Sequence, residues 1–445
     1  MNVKVEHWAT IGFDDAFEQI STTGKTVKTA GLPTEGSYPV IDQGKAPLAG
    51  FLDSPELVIS NESPVIIFGD HTRAVKWVDS PFIPGADGLK VLALREPLDA
   101  RFFYYHLRSL NLESKGYARH FSQVRDATYC LPPLAEQKRI AQKLDALLAQ
   151  VDTLKARIDA IPALLKRFRL SILTAATSGT TFDGSSVITN QSEANGSSFM
   201  LNDETFDLPK GWSHAPVDSV LHSARRLCYG VVQPGSEVES GVDMIRVCDI
   251  EDGTIAWNDL RKIASEVDDE YRRSRVQRGD VLMSIVGSIG RAAIVREDRP
   301  ANIARAVARL SVDQSQLTPE WLFLWLTSPK VQWWLVSSSK EVARKTLNLK
   351  ELSELPVPLP PKEVQAEIVR RVDQLFAYAD QLEAKVATAQ QRIDALTQSL
   401  LAKAFRGELV PQDPGDEPAS VLLERIRTQR AATPKPKRGR KAATS

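Results

Sequence analysis

Side chains that usually build disulfides, metal sites or membrane spans are scarce in this sequence. Its 445 residues contain three cysteines, Cys130, Cys228 and Cys248, and no two of them form a Cys-x-x-Cys pair, so we expect no disulfide framework. The six histidines show no His-Glu-x-x-His spacing or similar ligand pattern, so we expect no metal site. No run approaches the roughly 18 apolar residues of a membrane helix, and the N-terminus lacks the apolar core of a signal peptide. The sequence therefore predicts a cytoplasmic protein.

Net charge and nucleotide-binding motifs are also absent. The chain carries 56 basic and 56 acidic residues, which argues against a uniformly basic coat for nucleic acid but leaves room for local basic patches. The stretch STTGKT at 21–26 ends like a phosphate-binding loop, but Gln19 stands where that loop requires glycine. We find no GxSxG motif, no glycine-rich dinucleotide motif after a strand and no NPPY-like methyltransferase motif. The sequence shows no catalytic constellation.

An internal repeat is the most informative positive feature. Residues 131–179 align with 359–407 without a gap, and both copies begin with a double proline, LPPLAEQKRI in the first and LPPKEVQAEI in the second. Weaker matches upstream keep the same order, such as Trp8 with Trp212 and the G-x3-R spacing of FGDHTR with VGSIGR. The strongest matches are Leu131/Leu359, Pro133/Pro361, Gln137/Gln365, Ile140/Ile368, Asp145/Asp373, Leu154/Leu382 and Gly179/Gly407. We infer that the chain contains two copies of one plan, with longer insertions in the second.

Each repeated stretch has the heptad pattern of a coiled coil. Apolar residues recur in alternating steps of four and three over more than four heptads. The double prolines suit a helix start, and Gly179 and Gly407 suit helix C-termini. Pro162 should remove a backbone hydrogen bond and bend the first helix near Ile158. The predicted seam consists of Ile140, Leu144, Leu147, Val151, Leu154 and Ile158 in the first helix and Ile368, Val372, Leu375, Leu382, Val386 and Ile393 in the second.

The repeat also predicts how the two long helices are arranged. If a pseudo-two-fold axis relates the copies, the helices run antiparallel. A helix of roughly 40 residues is about 60 Å long, so the pair would form a rigid spacer with one globular domain at each end.

Composition along the chain gives the domain boundaries. Dense turn residues and short apolar runs such as SPVIIFG and GDVLMSIVG predict short buried strands, and the aromatic-rich RFFYYHL and EWLFLWL predict core-facing helices. We therefore predict an α+β fold. Its parts are a first globular domain at 1–130, a spacer helix at 131–179, a flexible linker at 180–207, a second globular domain at 208–358, a second spacer helix at 359–407, and a tail at 408–445 that is partly disordered, with a short helix at 422–427.

Polar and basic loop residues are the candidates for contact with nucleic acid. Arg, Asn, Gln and Thr side chains can read base edges, whereas Lys and Arg on phosphate mainly position a protein. Such residues cluster in GDHTR and GSIGR, which follow predicted strands, and in GYARHFSQVRD and SKEVARKTLNLKE. For any one of them a solvated charged surface is the simpler interpretation. The candidates are Asp70, His71, Thr72, Arg73, Arg119, His120, Arg225, Arg226, Ser288, Arg291, Arg344, Lys345, Thr346 and Asn348.

This layout resembles the specificity (S) subunits of Type I restriction-modification systems. The resemblance covers roughly 1–410 and is strongest in the two proline-started helices and their endings, SILTAATSG and SLLAKAFRG. The segments SYPVIDQG, VIIFGDHTR and GSIG are similar to that family's target-recognition domains. The resemblance implies two target-recognition domains separated by two long antiparallel coiled-coil helices. Each domain would read one half of a bipartite, non-palindromic DNA target in host defence.

The same resemblance implies partners for the chain. The helices would hold the spacing between half-sites and dock two methyltransferase (M) subunits, with two restriction (R) subunits outside. No cofactor would be bound by this chain, because S-adenosylmethionine, ATP and Mg²⁺ would belong to the partner subunits, as would catalysis. A spacer of about 60 Å spans roughly 18 base pairs, so the half-sites should lie about one turn apart on one face of the duplex.

Two alternatives remain open at this stage. Asp99, followed by Glu113 and Lys115, faintly echoes the D…ExK pattern of metal-dependent nucleases, although the second copy has no equivalent. The chain could instead be a scaffold that binds only protein through its coiled coil. Salt-dependent DNA binding distinguishes the specificity subunit from the scaffold, because phosphate contacts release counterions.

Overall fold

The computed structural model describes residues 5, 7–85, 88–113, 116, 118–180, 197–251, 253–338 and 346–432. The chain divides into two compact units. Unit 1 consists of Met1–Asp159 and Thr388–Ser445, and unit 2 of Ala160–Ala387. The two boundaries, after 159 and after 387, are 228 residues apart, which is the offset of the sequence repeat. Each unit therefore contains one globular domain with half of each long helix.

The elements are numbered in chain order. The strands are β1 Ala9–Gly12, β2 Phe17–Ile20, β3 Tyr38–Ile41, β4 Gly50–Leu52, β5 Val65–Gly69, β6 Val75–Val78, β7 Ile83–Pro84, β8 Leu89–Leu94, β9 Thr128–Leu131, β10 Ser198–Leu201, β11 Glu204–Asp207, β12 Ser213–Pro216, β13 Cys228–Tyr229, β14 Val242–Ile245, β15 Ile250–Glu251, β16 Thr254–Ile255, β17 Arg261–Ile263, β18 Val281–Ser284, β19 Ala292–Ile294, β20 Ala301–Ile303, β21 Val307–Leu310 and β22 Pro356–Leu359. The helices are α1 Phe13–Ala16, α2 Ala100–Ser109, α3 Phe121–Asp126, α4 Leu134–Ser178, α5 Ser265–Glu270, α6 Pro319–Thr327, α7 Pro329–Ser337, α8 Leu349–Glu354, α9 Lys362–Phe405 and α10 Ala419–Ala432. Helices and sheets occur in both units, so the predicted α+β class is confirmed.

The two globular domains share one sheet topology. Unit 1 has a four-stranded antiparallel sheet in the order β2-β8-β5-β6, and unit 2 has its counterpart in the order β13-β21-β18-β19. A mixed three-stranded sheet follows the same rule in both, with one antiparallel and one parallel neighbour, as β4-β3-β7 and β17-β14-β20. The strand before each long helix pairs antiparallel with the first strand of its domain, β9 with β1 and β22 with β12. The repeat therefore extends through the domains and is not confined to the helices.

A buried glutamine ties each long helix to the domain that precedes it. In unit 1 the Gln137 side-chain oxygen accepts from the backbone N–H of Asp99 at 3.1 Å, and its amide group donates to the Pro132 carbonyl at 2.9 Å. In unit 2 the Gln365 side chain accepts from the backbone N–H of Thr318 at 3.0 Å and donates to the Pro360 carbonyl at 2.9 Å. Both glutamines are fully buried. The repeated LPP-x3-Q motif is thus one structural device that each unit uses once.

The residues that these glutamines hold are helix N-caps. The Asp99 carboxylate accepts from the backbone N–H of Phe102 at 2.8 Å at the start of α2, and the Thr318 hydroxyl accepts from that of Trp321 at 3.2 Å at the start of α6. The nuclease alternative used Asp99 as a metal ligand. The structure gives this carboxylate the same capping role that a threonine fills in the second copy. Lys115, the third residue of that alternative, lies outside the described residues.

Each domain packs its aromatic helix against the start of a long helix. In unit 1, Phe103 and Tyr105 of α2 are buried in one cluster with Ile140 and Leu144 of α4. In unit 2, Trp321 and Trp325 of α6 are buried with the start of α9. Burying a large apolar side chain stabilises a fold by about 1.5–3 kcal/mol, so these contacts fix the long helices firmly to the domains. The interpretation of RFFYYHL and EWLFLWL as core-facing helices is confirmed.

The two long helices run antiparallel within each unit. In unit 1, the Lys155 ammonium lies 2.7 Å from the Asp394 carboxylate, and Gln390 donates to Asp159 at 2.7 Å. The partner number falls by four as the α4 number rises by four, which defines an antiparallel register. In unit 2, Arg169 pairs with α9 at Asp380 and Glu383. Exposed pairs of this kind contribute about 0–1 kcal/mol each, so they indicate register more than they provide stability.

The predicted seam is buried along one of its two lines of residues. Ile140, Leu144, Val151, Ile368, Val372, Val386 and Ile393 are buried, whereas Leu147, Ile158, Leu375 and Leu382 are half-buried. Leu154 is 48% exposed, so its place in the seam is wrong. In α4 the line of seam residues that contains Val151 is the more buried one, and the line that contains Leu154 is the more exposed one. The physical reason is that one partner helix covers only a narrow stripe, and the flanking line stays at the solvent edge.

The ends of the long helices follow the predicted pattern. Gly179 and Gly407 have φ angles of +68° and +73°, the left-handed conformation typical of glycine after a helix. A side chain at Gly179 would also collide with Pro209. Helix α4 continues through Pro162, and the bend expected near Ile158 stays a prediction.

The predicted linker at 180–207 contains structure in its last part. Strands β10 and β11 form a hairpin, and Phe199 and Phe206 stack with ring centres 5.0 Å apart in the core of unit 2. Asn202 and Asp203 between them both have positive φ, as a tight hairpin turn requires. This hairpin is stabilised by alternating apolar residues within a mostly polar stretch, and the average composition of that stretch did not reveal them. Residues 181–196 of the predicted linker lie outside the described residues.

The predicted tail at 408–445 is also structured in part. Helix α10 is longer than the short helix expected at 422–427, and Leu422 and Ile426 are buried in the unit 1 core. Before it, Asp416 accepts two hydrogen bonds from the Arg139 guanidinium of α4, at 3.1 and 2.6 Å. Residues 433–445, with the basic run, lie outside the described residues. Within the described part of the chain, no helix is both long enough and apolar enough to cross a membrane.

Candidate nucleic-acid interface

The loop after β5 in unit 1 is organised by a buried carboxylate. Asp70 is 2% exposed, and one of its oxygens accepts from the backbone N–H groups of His120 and Phe121, both at 2.8 Å. Its other oxygen lies 3.9 Å from the Lys90 ammonium. Asp70 thus fixes the start of α3 to the loop. The prediction that Asp70 and the equally buried His120 contact DNA is wrong, because both side chains face the interior of the domain.

The neighbouring residues of this loop are two residues anchored to Gln43 and an exposed arginine, Arg73. The Thr72 hydroxyl donates to the Gln43 carbonyl, and the backbone N–H of His71 donates to the Gln43 side chain at 3.2 Å. Arg73 adopts a φ of +61° and donates to the Leu112 carbonyl at 2.9 Å while remaining exposed. The segment that begins at Leu112 also carries the exposed Arg119. Of the predicted residues in unit 1, Arg73 and Arg119 are therefore the exposed cations that the fold brings to neighbouring loops.

The corresponding loop of unit 2 is organised by a hydroxyl. The Ser284 hydroxyl donates to the Ser288 carbonyl and accepts from the backbone N–H of Arg291 at 2.9 Å. Glycines in the turn, at φ +79° for Gly287 and +89° for Gly290, allow the chain to reverse here. The side chains of Ser288 and Arg291 are exposed, as the prediction requires. Arg291 also lines a cleft of about 1160 Å³ within unit 2, whose other walls include Lys166 of α4.

Residues around 340–350 give a mixed result. Arg344 and Lys345 lie outside the described residues, and Thr346 is exposed where it forms a β-bridge with Val286. Asn348 is the N-cap of α8: its side chain accepts from the backbone N–H of Lys350 at 3.0 Å, and the Glu351 side chain accepts in return from the backbone N–H of Asn348 at 3.4 Å. Asn348 is exposed, and a capping box occupies its amide oxygen, so its contact with DNA stays a prediction.

The adjacent arginines 225 and 226 have opposite surroundings. Arg225 is half-buried and donates to the Asp280 carboxylate at 2.6 Å and to the Ser311 hydroxyl at 3.1 Å. Arg226 is exposed, and its backbone carbonyl accepts from the Arg309 guanidinium at 3.1 Å. The ion pair of Arg225 gives it a structural role in the domain, and its contact with DNA stays a prediction. Arg226 keeps the exposed position that such a contact requires.

Close to Arg226 lies a surface that the sequence prediction missed. Tyr229 and Val232 are each 38% exposed, and the Arg273 guanidinium carbon lies 5.8 Å from the centre of the Tyr229 ring. The backbone N–H of Arg305 donates to the Val231 carbonyl at 2.9 Å, which places a further exposed arginine beside this segment. Two sequence signals point to it: the run RRLCYGVV at 225–232, and the four arginines among residues 271–278, YRRSRVQR.

The described residues offer no cluster of His, Cys, Asp and Glu able to hold a metal ion. Burial raises the pKa of the Cys130 and Cys228 thiols, which disfavours the reactive thiolate form at both. Burial also lowers the pKa of the Arg309 guanidinium. What the sites share is a set of exposed cations and hydroxyls on loops held by buried polar groups.

Comparison with known proteins identifies the family. A family model described as the Type I restriction modification DNA specificity domain matches residues 6–163 and 244–389. The chain is 46% identical over 389 residues to the Type I restriction enzyme EcoBI specificity subunit of Escherichia coli, with 84% of this chain and 80% of that protein covered. It is 37% identical over 333 residues to the EcoKI specificity subunit of Escherichia coli strain K12, with 70% of this chain and 66% of that protein covered.

A solved structure supports the fold. One of its chains, from work on the complex assembly and conformational transition of the type I R-M system, superposes with a TM-score of 0.64 at 20% identity. The superposition covers 91% of this chain and 98% of that one. This chain therefore belongs to the family of the Type I restriction modification DNA specificity domain.

Proposed function

We propose that this chain is the DNA sequence-specificity subunit of a Type I restriction-modification complex, and that each globular domain reads one half of a bipartite, non-palindromic target. The observation that carries this proposal is a duplicated scaffold with different loops. Strand order and the glutamine contact are the same in both units, whereas the loop after β5 is organised by Asp70 and the loop after β18 by Ser284. Equal scaffolds with unequal loops suit two different half-sites.

The helix pairs are proposed to dock two methyltransferase subunits. Leu154 and Leu396 of unit 1 are 48% and 46% exposed, and the ion pair between Lys155 and Asp394 puts them at the same level of the helix pair. Their repeat counterparts, 228 residues away, are Leu382 and Phe168 of unit 2, which are half-buried and 37% exposed. Apolar side chains that are exposed or half-buried at equivalent positions mark two similar surfaces, which supports two copies of one partner. Two restriction subunits would then bind outside the methyltransferases.

Catalysis and cofactors are proposed to belong to those partners. S-adenosylmethionine, ATP and Mg²⁺ would be bound there, and the capping role of Asp99 supports a structural function for the carboxylate that the nuclease alternative required. Because the proposed target is cellular DNA, the proposed location is the cytoplasm.

A domain exchange tests the proposal directly. Residues 1–130 are replaced by the corresponding segment of a relative, the variant is expressed with its methyltransferase partner, and methylated sites are mapped across the host genome. We expect one half of the target to change while the other half and the separation stay the same. The reciprocal exchange of 208–358 should change the other half only. Methylation at unchanged sites after either exchange would show that the domains do not choose the sequence.

The spacing role has its own test. One helical turn is inserted into α4 and one at the equivalent position of α9. Each turn adds about 5.4 Å, so the separation between half-sites should grow by about one to two base pairs. An unchanged separation in a folded, active variant contradicts the spacer role and leaves the assignment of the half-sites intact.

A further inference from the structure

A cluster of exposed arginines around an exposed tyrosine is the most distinctive surface of unit 2. We call the group Arg226, Tyr229, Val232, Arg273 and Arg305 the arginine surface. Strand β13, which contains Tyr229, pairs with β21, and the adjacent Val231 forms a parallel bridge with Ala304. These two connections bring Arg305 next to the segment 226–232. The Arg273 guanidinium lies over the Tyr229 ring, so Arg273 also adjoins the segment 226–232.

The charges of this surface are not neutralised within the described structure. Neighbouring Arg275 pairs with the Asp268 and Asp269 carboxylates, and Arg272 also pairs with Asp269. In contrast, Arg226, Arg273 and Arg305 form no ion pair with any described residue. Three uncompensated arginines on adjoining segments, one of them over the Tyr229 ring, suit a polyanion whose bases or sugars can contact that ring.

A buried arginine supports this surface from below. Arg309 is 2% exposed, and its guanidinium donates to the backbone carbonyls of Arg273 at 2.6 Å and of Arg226 at 3.1 Å. It also donates to the carbonyl of Arg275 at 3.1 Å. One rigid side chain therefore joins two separate segments that present the exposed arginines. The planar guanidinium can do this because its donors form a fixed fork, which the single ammonium of lysine lacks.

The buried charges beneath the surface do not balance. Arg225 donates both to the Arg275 carbonyl at 3.2 Å and to Asp280, and the other Asp280 oxygen accepts from Ser311. The Asp280 carboxylate is bound to Arg225, whereas Arg309 contacts only carbonyls in the described structure. Burying a charge without a counter-charge is costly, so an anion close outside the surface would be favoured.

We propose that unit 2 binds the DNA backbone through the arginine surface. Arg226, Arg273 and Arg305 contact phosphates, and Tyr229 packs against a sugar or a base. Arg309 and Arg225 are positioning residues for this surface. This inference rests on the proposed function and adds the contact face of one half-site to it. The alternative ligand of the same chemistry is a free anion such as inorganic phosphate, which the experiment separates.

Salt dependence of DNA binding tests the phosphate contacts. The probe is a fluorescent duplex that carries the methylome-defined target, titrated with the full chain assembled with its methyltransferase partner. The triple variant with Arg226→Ala, Arg273→Ala and Arg305→Ala should bind more weakly, and the slope of log affinity against log salt should fall by about 2–3, close to one per lost contact. Arg296→Ala is the matched control, an exposed arginine of the same unit that lies near Asp373 of α9, and it should leave the slope unchanged.

The outcomes separate the inference from the function on which it rests. If the wild type binds its target with a steep salt slope and the triple variant keeps that slope, the arginine surface is not the contact face, and the proposed function stands. If the wild type binds target and scrambled duplexes equally with no salt slope, the proposed function itself fails. Competition by inorganic phosphate at the concentration of duplex phosphate would show a free-anion site and overturn the proposal.

Tyr229→Ala tests whether the surface serves one half-site. Base or sugar stacking on an aromatic ring commonly contributes enough to change affinity about 10-fold. Methylome sequencing should show a relaxed sequence preference in the half-site read by unit 2 and an unchanged sequence preference in the other half-site. Relaxation in both half-sites, or in neither, would overturn the assignment of Tyr229.

Arg309→Lys tests the positioning role. The charge is retained, but one ammonium does not reach carbonyls in both segments, so backbone amides near 226–229 and 272–275 should exchange hydrogen faster while the rest of unit 2 is unaffected. Affinity for the target should fall about 10-fold. Faster exchange with unchanged affinity would show that Arg309 stabilises the fold without positioning the DNA contacts. Ser311→Ala, which removes the hydroxyl that contacts Arg225 and Asp280 but leaves the Arg309 contacts in place, serves as the milder control.

Discussion

The recognition domains of the two units have the same strand order but stabilise their loops with different polar groups. In unit 1 a buried carboxylate, Asp70, collects backbone N–H groups and faces one lysine, Lys90. In unit 2 the guanidiniums of the half-buried Arg225 and the buried Arg309 donate to backbone carbonyls, and Arg225 also pairs with one carboxylate, Asp280. The buried residues of β8, the unit 1 counterpart of β21, are all apolar.

This difference shows which side chains of a duplicated fold can differ between the two copies. The glutamine contacts at the helix starts involve backbone groups that both copies must satisfy, so the same side chain serves twice. The buried polar side chains beneath the loops form hydrogen bonds with backbone groups whose arrangement differs between the copies. A carboxylate can accept from backbone N–H groups in one copy, and a guanidinium can donate to backbone carbonyls in the other. Divergence of the buried polar groups thus follows divergence of the loops.

Removing the Asp280 carboxylate of unit 2 should have the largest effect. Asp280→Ala leaves Arg225 without its ion-pair partner and Ser311 without its acceptor, and breaking a buried pair costs about 3–5 kcal/mol. Urea unfolding of the full chain should show this loss, and hydrogen exchange should place it in unit 2. Asp298→Ala, at an exposed carboxylate 3.6 Å from Arg278, should change stability by less than about 0.5 kcal/mol. A loss located in unit 1 would break the comparison.

Acid should destabilise unit 1 through His106. Burial lowers the pKa of His106 to about 4, whereas in the unfolded chain it stays near 6.5. Below pH 6.5 the unfolded state therefore binds a proton that the folded state resists, and stability falls as pH drops from about 6.5 to 4. The loss is up to about 3 kcal/mol.

The variant His106→Gln isolates that effect. The glutamine oxygen can still accept from the backbone N–H of Cys130, to which His106 Nε2 is bound at 2.9 Å. The slope of unfolding free energy between pH 6.5 and 4 should become shallower in the variant. Burial raises the pKa of Glu136 in the same unit, which works in the opposite direction, so the variant and the wild type must be compared at each pH. An unchanged slope would contradict the role of His106.

The glutamine contacts should behave alike in the two units. Gln137→Ala removes two hydrogen bonds, and Gln365→Ala removes three, because the Gln365 amide group also donates to the Gln316 carbonyl at 3.1 Å. Each variant leaves buried backbone groups unsatisfied, which we expect to cost about 2–3 kcal/mol in either unit. Thermal unfolding of the full chain measures the loss. Gln142→Ala and Gln374→Ala, at exposed positions of the same two helices, are the matched controls and should be nearly neutral. Unequal costs for the two buried glutamines would show that the repeat is not energetically symmetric.

The smallest effects should separate the two lines of the helix seam. Val151→Ala removes buried methyl groups and should cost about 1–2 kcal/mol, whereas Leu154→Ala, at a half-exposed position, should cost less than about 0.5 kcal/mol. Leu154→Ala and Leu396→Ala together should nevertheless weaken co-purification of the methyltransferase. Equal destabilisation by Val151→Ala and Leu154→Ala would mean that both lines are buried in solution.

Much of the scaffold could be predicted from the sequence because periodic patterns report local geometry. The heptad steps predicted two long helices, and the collinear matches predicted two related domains. Gly179 and Gly407 marked helix ends, since few other residues adopt positive φ there. The hairpin at 198–207 and helix α10 were missed because a few apolar residues in a polar stretch carry them, and their burial depends on distant partners.

The candidate interface could be predicted only in outline. Residue type indicated which side chains can contact DNA, and Arg73, Arg119, Arg226, Ser288 and Arg291 are indeed exposed. The same reasoning selected Asp70, His120, Arg225 and Asn348, which serve as caps or anchors within the fold. The same residue type can contact DNA on the surface or form hydrogen bonds within the fold, so residue type alone does not distinguish the two roles.

The sequence by itself determined the duplication, the two long helices and the places where they begin and end, because these follow from spacing along the chain. The tertiary structure alone decided which polar residues are buried and which remain on the surface. Asp70 meets His120 fifty residues later, and Arg225 meets Asp280 fifty-five residues later, so each role is set by a contact that only folding creates. The arginine surface arises in the same way, from three segments that the sheets of unit 2 bring together.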